Sequence, residues 1–117
     1  MTTRTTSPQP LETWKHSADT LAITVVDGDG VAVDITGMTL RFVAHDANDP
    51  PVGKFQVADA SIAKAGNVAS VSVTPTETAS SDPNWHWELW DITGGDAAET
   101  VIANGPLKIK PAVKSVG

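Results

Sequence analysis

The stretch DPNWHWELWDITGG, residues 82–95, holds three of the chain's four tryptophans within six residues. In an extended strand, alternate residues share a face. Trp85, Trp87 and Leu89 then lie on one side, and His86, Glu88 and Trp90 on the other. Glu88 belongs in water, so the first set points inward. Trp87 and Leu89 are candidate core residues, and Trp85 closes the end of the core at the start of the strand. Trp90 shares the Glu88 face and is expected to stand partly exposed unless an arm or a partner covers it.

The same period of two runs upstream. DTLAITVVD places Leu21, Ile23 and Val25 on one face, with β-branched content that favours a strand. DGDG at 27–30 is a hairpin signal, since glycine reaches positive φ at little cost. In MTLRFVAHD, Leu40, Phe42 and Ala44 alternate with Arg41, Val43 and His45. Pro50 and Pro51 end that strand. KFQVADASIAKAG reads as one or two short strands turned by Gly66-Asn67, with a short helix over VADASIAKA as the competing reading. NVASVSVT alternates again, with Ala69, Val71 and Val73 on one face, and PTETASSDPN is a polar crossover with room for a helical turn. ETVIANG and PLKIKPAV follow the Gly-Gly turn, with Leu107 and Ile109 facing one way. Seven or eight short strands with regularly spaced turns predict an all-β chain, an antiparallel immunoglobulin-like β-sandwich. LETWKH supplies its first strand, carrying Trp14.

Three regions are expected: an extended N-terminal arm at 1–10, the sandwich at 11–113 and a tail at 114–117. The arm, MTTRTTSPQP, is rich in Thr, Ser and Pro and has no apolar run, so it does not read as a signal peptide. At 117 residues there is chain for one modest core. The net charge of −6, with eight scattered Lys and Arg, argues against nucleic-acid binding. No stretch nears the roughly 20 apolar residues of a membrane span. With no cysteine there is no disulfide scaffold and no cysteine-based zinc or redox site.

Candidate chemistry is sparse. Asp27, Asp29 and Asp34 resemble the start of a calcium loop, but Val31 and Met38 stand where an EF-hand needs oxygen ligands, and solvated turn acids explain the segment better. His16, His45 and His86 lack metal-ligand spacing. There is no Gly-x-Ser-x-Gly elbow and no phosphate-cradling loop before a helix. No cofactor, no metal and no enzymatic activity are expected. An aromatic platform for sugar is weighed against core packing for the tryptophans, and core packing is favoured. Trp90 separates two uses of the surface. A protein contact should lay it flat against apolar residues, whereas a sugar site should leave it beside amide or acid side chains.

Several segments together resemble one family. DTLAITVVDGDGVAVDITGMTLRFVAHD (19–46) runs as a strand, an acidic glycine turn, then an Asp-hydrophobic-Thr-Gly step at Asp34, Ile35, Thr36 and Gly37. VSVTPTETASSDPNWHWELWD (71–91) runs as a strand, a Thr-Pro crossover with an acid and Thr, then an aromatic-x-aromatic-acid-Leu strand. VIANGPLKIKPAV (101–113) resembles the closing Gly-x-hydrophobic-x-hydrophobic-x-Pro strand. Over about residues 19–113 the chain resembles the immunoglobulin-like domain of the phage baseplate upper protein and its small virion relatives. The resemblance implies a non-catalytic virion structural protein, made in the host bacterial cytoplasm and docked in the tail or baseplate. Capsid decoration, or a carbohydrate-binding adhesion module, is the alternative. Its partners would be other virion proteins or further copies of itself, with a glycan less favoured. Arg4, Pro8, Pro10 and Trp90 are the expected contact residues. Asp34, Thr36 and Gly37 are expected to form a structural turn with Gly37 at positive φ.

Overall fold

The computed structural model describes residues 9–15, 17–47, 53–75, 77–78, 84–95 and 99–110. Eight strands follow in chain order: β1 Leu11–Trp14, β2 Asp19–Thr24, β3 Leu40–Asp46, β4 Lys54–Ala58, β5 Ile62–Ala65, β6 Val68–Val73, β7 Asn84–Asp91 and β8 Thr100–Lys110. Five form one sheet, in the order β1-β8-β7-β3-β4, and three form a second, β2-β6-β5. The KFQVADASIAKAG segment is two strands joined by a 3-10 turn at Asp59–Ser61, not a helix. That turn carries the chain from the edge of one sheet to the edge of the other. Asp59 anchors it: its carboxylate accepts hydrogen bonds from the Leu40 N–H at 2.8 Å and from Lys64 Nζ at 2.7 Å. The Lys64 ammonium and the Leu40 amide hold the Asp59 carboxyl below its usual range.

The inner faces of both sheets contribute to one core. Leu21, Ile23, Val25, Ala69, Val71 and Val73 from the small sheet meet Phe42, Trp87, Leu89, Leu107 and Ile109 from the large one. Trp87 and Phe42 are fully buried and stack at 5.9 Å between centroids. Ala44 lies in register between Trp87 on β7 and Phe55 on β4, so a small residue makes room for two rings. Phe55 continues the aromatic row to Trp85 at 5.6 Å.

Two expectations about the strands are corrected. The sandwich is not purely antiparallel: β1 runs parallel to β8, from Leu11 opposite Leu107 to Trp14 opposite Lys110. Parallel neighbours need a long connection, and here nearly the whole domain intervenes between them. Nor are all strands short, since ETVIANG and PLKIKPAV join into the single 11-residue β8. A register shift opposite Leu89/Trp90 leaves both Ile102 and Ala103 buried. This bulge resets the alternation of β8, which is why its two halves read as separate strands.

The arm boundary is corrected as well. Gln9, expected in the free arm, is built into the domain. Its N–H donates to the Asn104 carbonyl at 2.9 Å and its own carbonyl accepts the Trp87 indole N–H at 2.9 Å. Its side-chain amide bridges to the other sheet, accepting from the Thr24 N–H at 3.1 Å and donating to the Thr24 carbonyl. Gly105 makes this possible: a Cβ there would stand 2.1 Å from the Gln9 carbonyl oxygen. Gly105 is also the register partner of Trp87, so the indole reaches Gln9 across a position with no side chain. Residues 1–8 of the expected arm, residues 111–113 of the expected sandwich and the tail at 114–117 lie outside the described residues.

The Asp34 turn forms, but not through Gly37. Asp34 Oδ1 accepts the Thr36 N–H at 3.0 Å and the Thr36 hydroxyl at 2.7 Å. Both bonds favour the ionised carboxylate, so its pKa lies below the usual value. Gly37 is not in the left-handed region, and a Cβ there would meet nothing within 4 Å. The Asp-Thr pair closes this turn without a positive φ. Positive φ occurs at Gly30, Gly66 and Gly95, in the DGDG, Gly-Asn and Gly-Gly turns.

Candidate functional site

The outer face of the five-stranded sheet carries the surface chemistry. The core takes Trp85, 7% exposed, together with Trp87 and Leu89. It leaves Asn84, His86, Glu88 and Trp90 of β7 outward, beside Arg41, Val43 and His45 of β3. β1 adds Glu12 and Trp14. Three groupings stand out on this face.

The first is a hollow of about 240 Å³ around Trp90, lined by Arg41, Val43, Gln56, Glu88 and Glu99. Arg41 is directly opposite Trp90 across β3 and β7, and Val43 is opposite both Glu88 and Gln56. The Trp90 indole N–H donates to Glu88 Oε1 at 3.3 Å, and Arg41 lies 3.8 Å from Glu99. Trp90 is half-buried. Its neighbours are amide, acid and guanidinium groups with a single valine, rather than an apolar surround.

The second is the His45–His86 pair. The two are register partners with ring centroids 5.4 Å apart. His45 Nδ1 lies 2.8 Å from the Asp46 carbonyl oxygen, and His86 Nε2 lies 3.8 Å from Glu88. The fold thus joins two of the three histidines, while His16 lies outside the described residues. Among the described residues, no group of three or more His, Cys, Asp or Glu is arranged to hold a metal ion.

The third lies at the β1 edge. Trp14 is 48% exposed, with Lys110 Nζ 4.3 Å from its ring centroid. Lys110 also reaches Glu12 at 3.3 Å. Sequence reasoning placed Trp14 on a strand without assigning it a face. The signal was present: Leu11 and Thr13 alternate with Glu12 and Trp14, and a glutamate marks the solvent side. Nearby, Pro10, Leu11, Glu12, Asn84, Trp85 and Lys108 border a mainly apolar hollow of about 260 Å³. Pro10 is therefore at the surface and next to the core's end, not out on an arm. Arg4 and Pro8 lie outside the described residues.

Of the residues expected at a contact, the structure describes Pro10 and Trp90, and it places them in different hollows. Trp85, Trp87 and Leu89 are core. Asp34 and Thr36 form a turn and line neither hollow. Arg41, Gln56 and Glu99 were not foreseen, because only cross-strand register brings them to Trp90. No protein-family model matches this chain, and no curated protein matches its sequence.

Proposed function

We propose that this chain is a non-enzymatic structural module of a bacteriophage particle, an immunoglobulin-like sandwich that docks on other virion proteins in the tail or baseplate. The observation that carries the reading is the strand order. A β1-β8-β7-β3-β4 sheet against a β2-β6-β5 sheet matches the variable-type immunoglobulin arrangement, in which the last, penultimate and third strands lie side by side and an added strand extends them. That arrangement agrees with the sequence resemblance of residues 19–113. The absence of cysteine means that apolar packing of Trp87 replaces the disulfide of antibody domains.

Docking is assigned to the β1 edge and to the arm that leads into it. Trp14 is a large exposed aromatic at a strand edge, and the same β1 edge carries the mainly apolar hollow bordered by Pro10, Leu11 and Trp85; aromatic and apolar surface together suit the anchor of a protein contact, with Lys110 and Glu12 at its polar rim. Gln9 is bonded to Asn104 and Trp87 directly before β1, and Arg4 and Pro8 precede it in the chain, outside the described residues.

The test is localisation and incorporation. A small epitope tag on the chain should label the tail or baseplate in electron micrographs of intact particles. Trp14→Ala, and separately deletion of residues 2–8, should lower incorporation while leaving a cooperatively unfolding chain, at a cost in folding stability of no more than about 1 kcal/mol. Label on the head would replace the tail assignment with capsid decoration. Particles without label would overturn the virion reading.

A further inference from the structure

We infer that the hollow around Trp90 binds a neutral pyranose. A pyranose offers an apolar C–H face and a rim of hydroxyls. The hollow offers one indole for the face and, around it, groups able to hold the rim. Glu88 and Glu99 accept hydrogen bonds from hydroxyls, the Arg41 guanidinium donates, and the Gln56 amide does both. These side chains come from β3, β4, β7 and the residue just before β8, so four segments converge on one ring.

The lining decides between sugar and protein. A protein contact centred on a tryptophan is expected to be surrounded by apolar residues that exclude water. Here only Val43 is apolar. The polar neighbours are also held in place before any ligand arrives: Glu88 by the Trp90 indole N–H and Arg41 by Glu99. Such pre-organisation lowers the cost of binding. Two carboxylates against one guanidinium disfavour an anionic sugar and suit a neutral one. The size agrees with a single sugar unit, because about 240 Å³ falls short of the roughly 300–1,000 Å³ of drug-sized sites.

A single ring in an open hollow should bind weakly, with a dissociation constant on the order of 1 mM. Repetition of the module on one particle would raise the avidity of such a site. The inference does not depend on the docking reading. It uses Trp90 rather than Trp14 or the arm, and it is measured on the isolated chain rather than on particles, so the two can fail separately.

The experiment is an NMR titration of the full chain with methyl β-galactopyranoside, methyl β-glucopyranoside and N-acetylglucosamine, following the four indole N–H signals, with sialic acid as the anionic comparison. The Trp90 signal should shift and saturate with at least one neutral sugar, and sialic acid should bind more weakly. Trp90→Ala should weaken binding about tenfold or more. Gln56→Ala, at an exposed position where truncation should leave the fold intact, should weaken it measurably, and Trp14→Ala should leave it unchanged. The inference is overturned if no neutral sugar shifts Trp90 up to about 50 mM, or if Trp90→Ala with a well-dispersed spectrum binds as the parent does. It is equally overturned if the Trp90 signal responds to a purified virion protein but to none of the sugars.

Discussion

The tetrapeptide Asp-Ile-Thr-Gly occurs twice, at 34–37 and at 91–94. Locally the two copies fold alike. Asp34 Oδ1 accepts the Thr36 N–H and hydroxyl, and Asp91 Oδ1 accepts the Thr93 N–H at 3.0 Å and its hydroxyl at 2.5 Å. Each isoleucine carbonyl then accepts the N–H three residues on, from Met38 and from Gly95, both at 3.0 Å. Beyond the turn the copies part. Ile35 is fully buried in the core, whereas Ile92 is half-buried. Among the described residues Thr36 bonds within its own turn, while the Thr93 hydroxyl also accepts the Thr39 N–H at 2.9 Å. The first copy leads into β3 through Met38, and the second leaves β7 through Gly95 at φ 78°. Four residues specify a turn, but what the turn contributes to stability depends on where the sheets place it.

Four experiments sharpen this contrast, beginning with the largest expected effect. Ile35→Ala should cost about 2–5 kcal/mol by lost burial and a residual cavity, against about 1 kcal/mol for Ile92→Ala. Equal midpoints in urea for the two variants would show that the turns are energetically equivalent. Next, Gly95→Ala should cost about 1 kcal/mol, because a side chain resists that backbone conformation. Gly37→Ala should fall within about 0.5 kcal/mol of the parent, since its Cβ meets open space. A large loss at Gly37 would restore the strained turn that the sequence suggested.

Thr93→Ala should cost about 1 kcal/mol, and Thr36→Ala about half of that, because Thr93 also satisfies the Thr39 N–H just before β3. The reverse order in thermal melts would remove Thr39 from the account. The smallest effect concerns pH. Hydrogen bonds from Thr36 lower the Asp34 pKa from 3.8, the first being its hydroxyl. A group lowered on folding contributes stability that is present above its unfolded pKa and is lost as pH falls through the folded one. The Asp34 contribution should therefore be intact above pH 3.8 and fade only at more acidic pH. A carboxyl NMR titration should give a value below 3.8 that moves back toward it in Thr36→Val; an unmoved value in that variant would assign the shift elsewhere.

The same division between local and distant runs through the rest of the molecule. The inward set Trp85, Trp87 and Leu89 was legible because Glu88 and His86 mark the opposite face of the same strand. The crossover after β6 was legible as well. Thr74 and Glu77 cap one turn reciprocally, with Thr74 N–H to Glu77 at 2.8 Å, a spacing of three visible in the sequence. What it holds was not legible: the Thr78 hydroxyl, buried, donates to the Ser17 carbonyl and accepts the Ser17 N–H, both at 2.9 Å, across 61 residues. The surface around Trp90 belongs to the same class. Trp90 could be placed outside the core from its own strand, but Arg41, Gln56 and Glu99 reach it through three pairings between distant segments.

By itself the sequence determined the all-β character, the faces of β2, β3, β6 and β7, and most of the turns. Each of these rests on periodicity or on turn chemistry within a few residues. Only the tertiary structure decided that β1 runs parallel to β8, that Gln9 crosses Gly105 to take the Trp87 indole N–H, and that β8 is one bulged strand. The first two depend on which residues lie opposite one another across 78 or more positions of chain, and the third on how β8 pairs with β7. The packing of one shared core sets that register, and no local pattern encodes it.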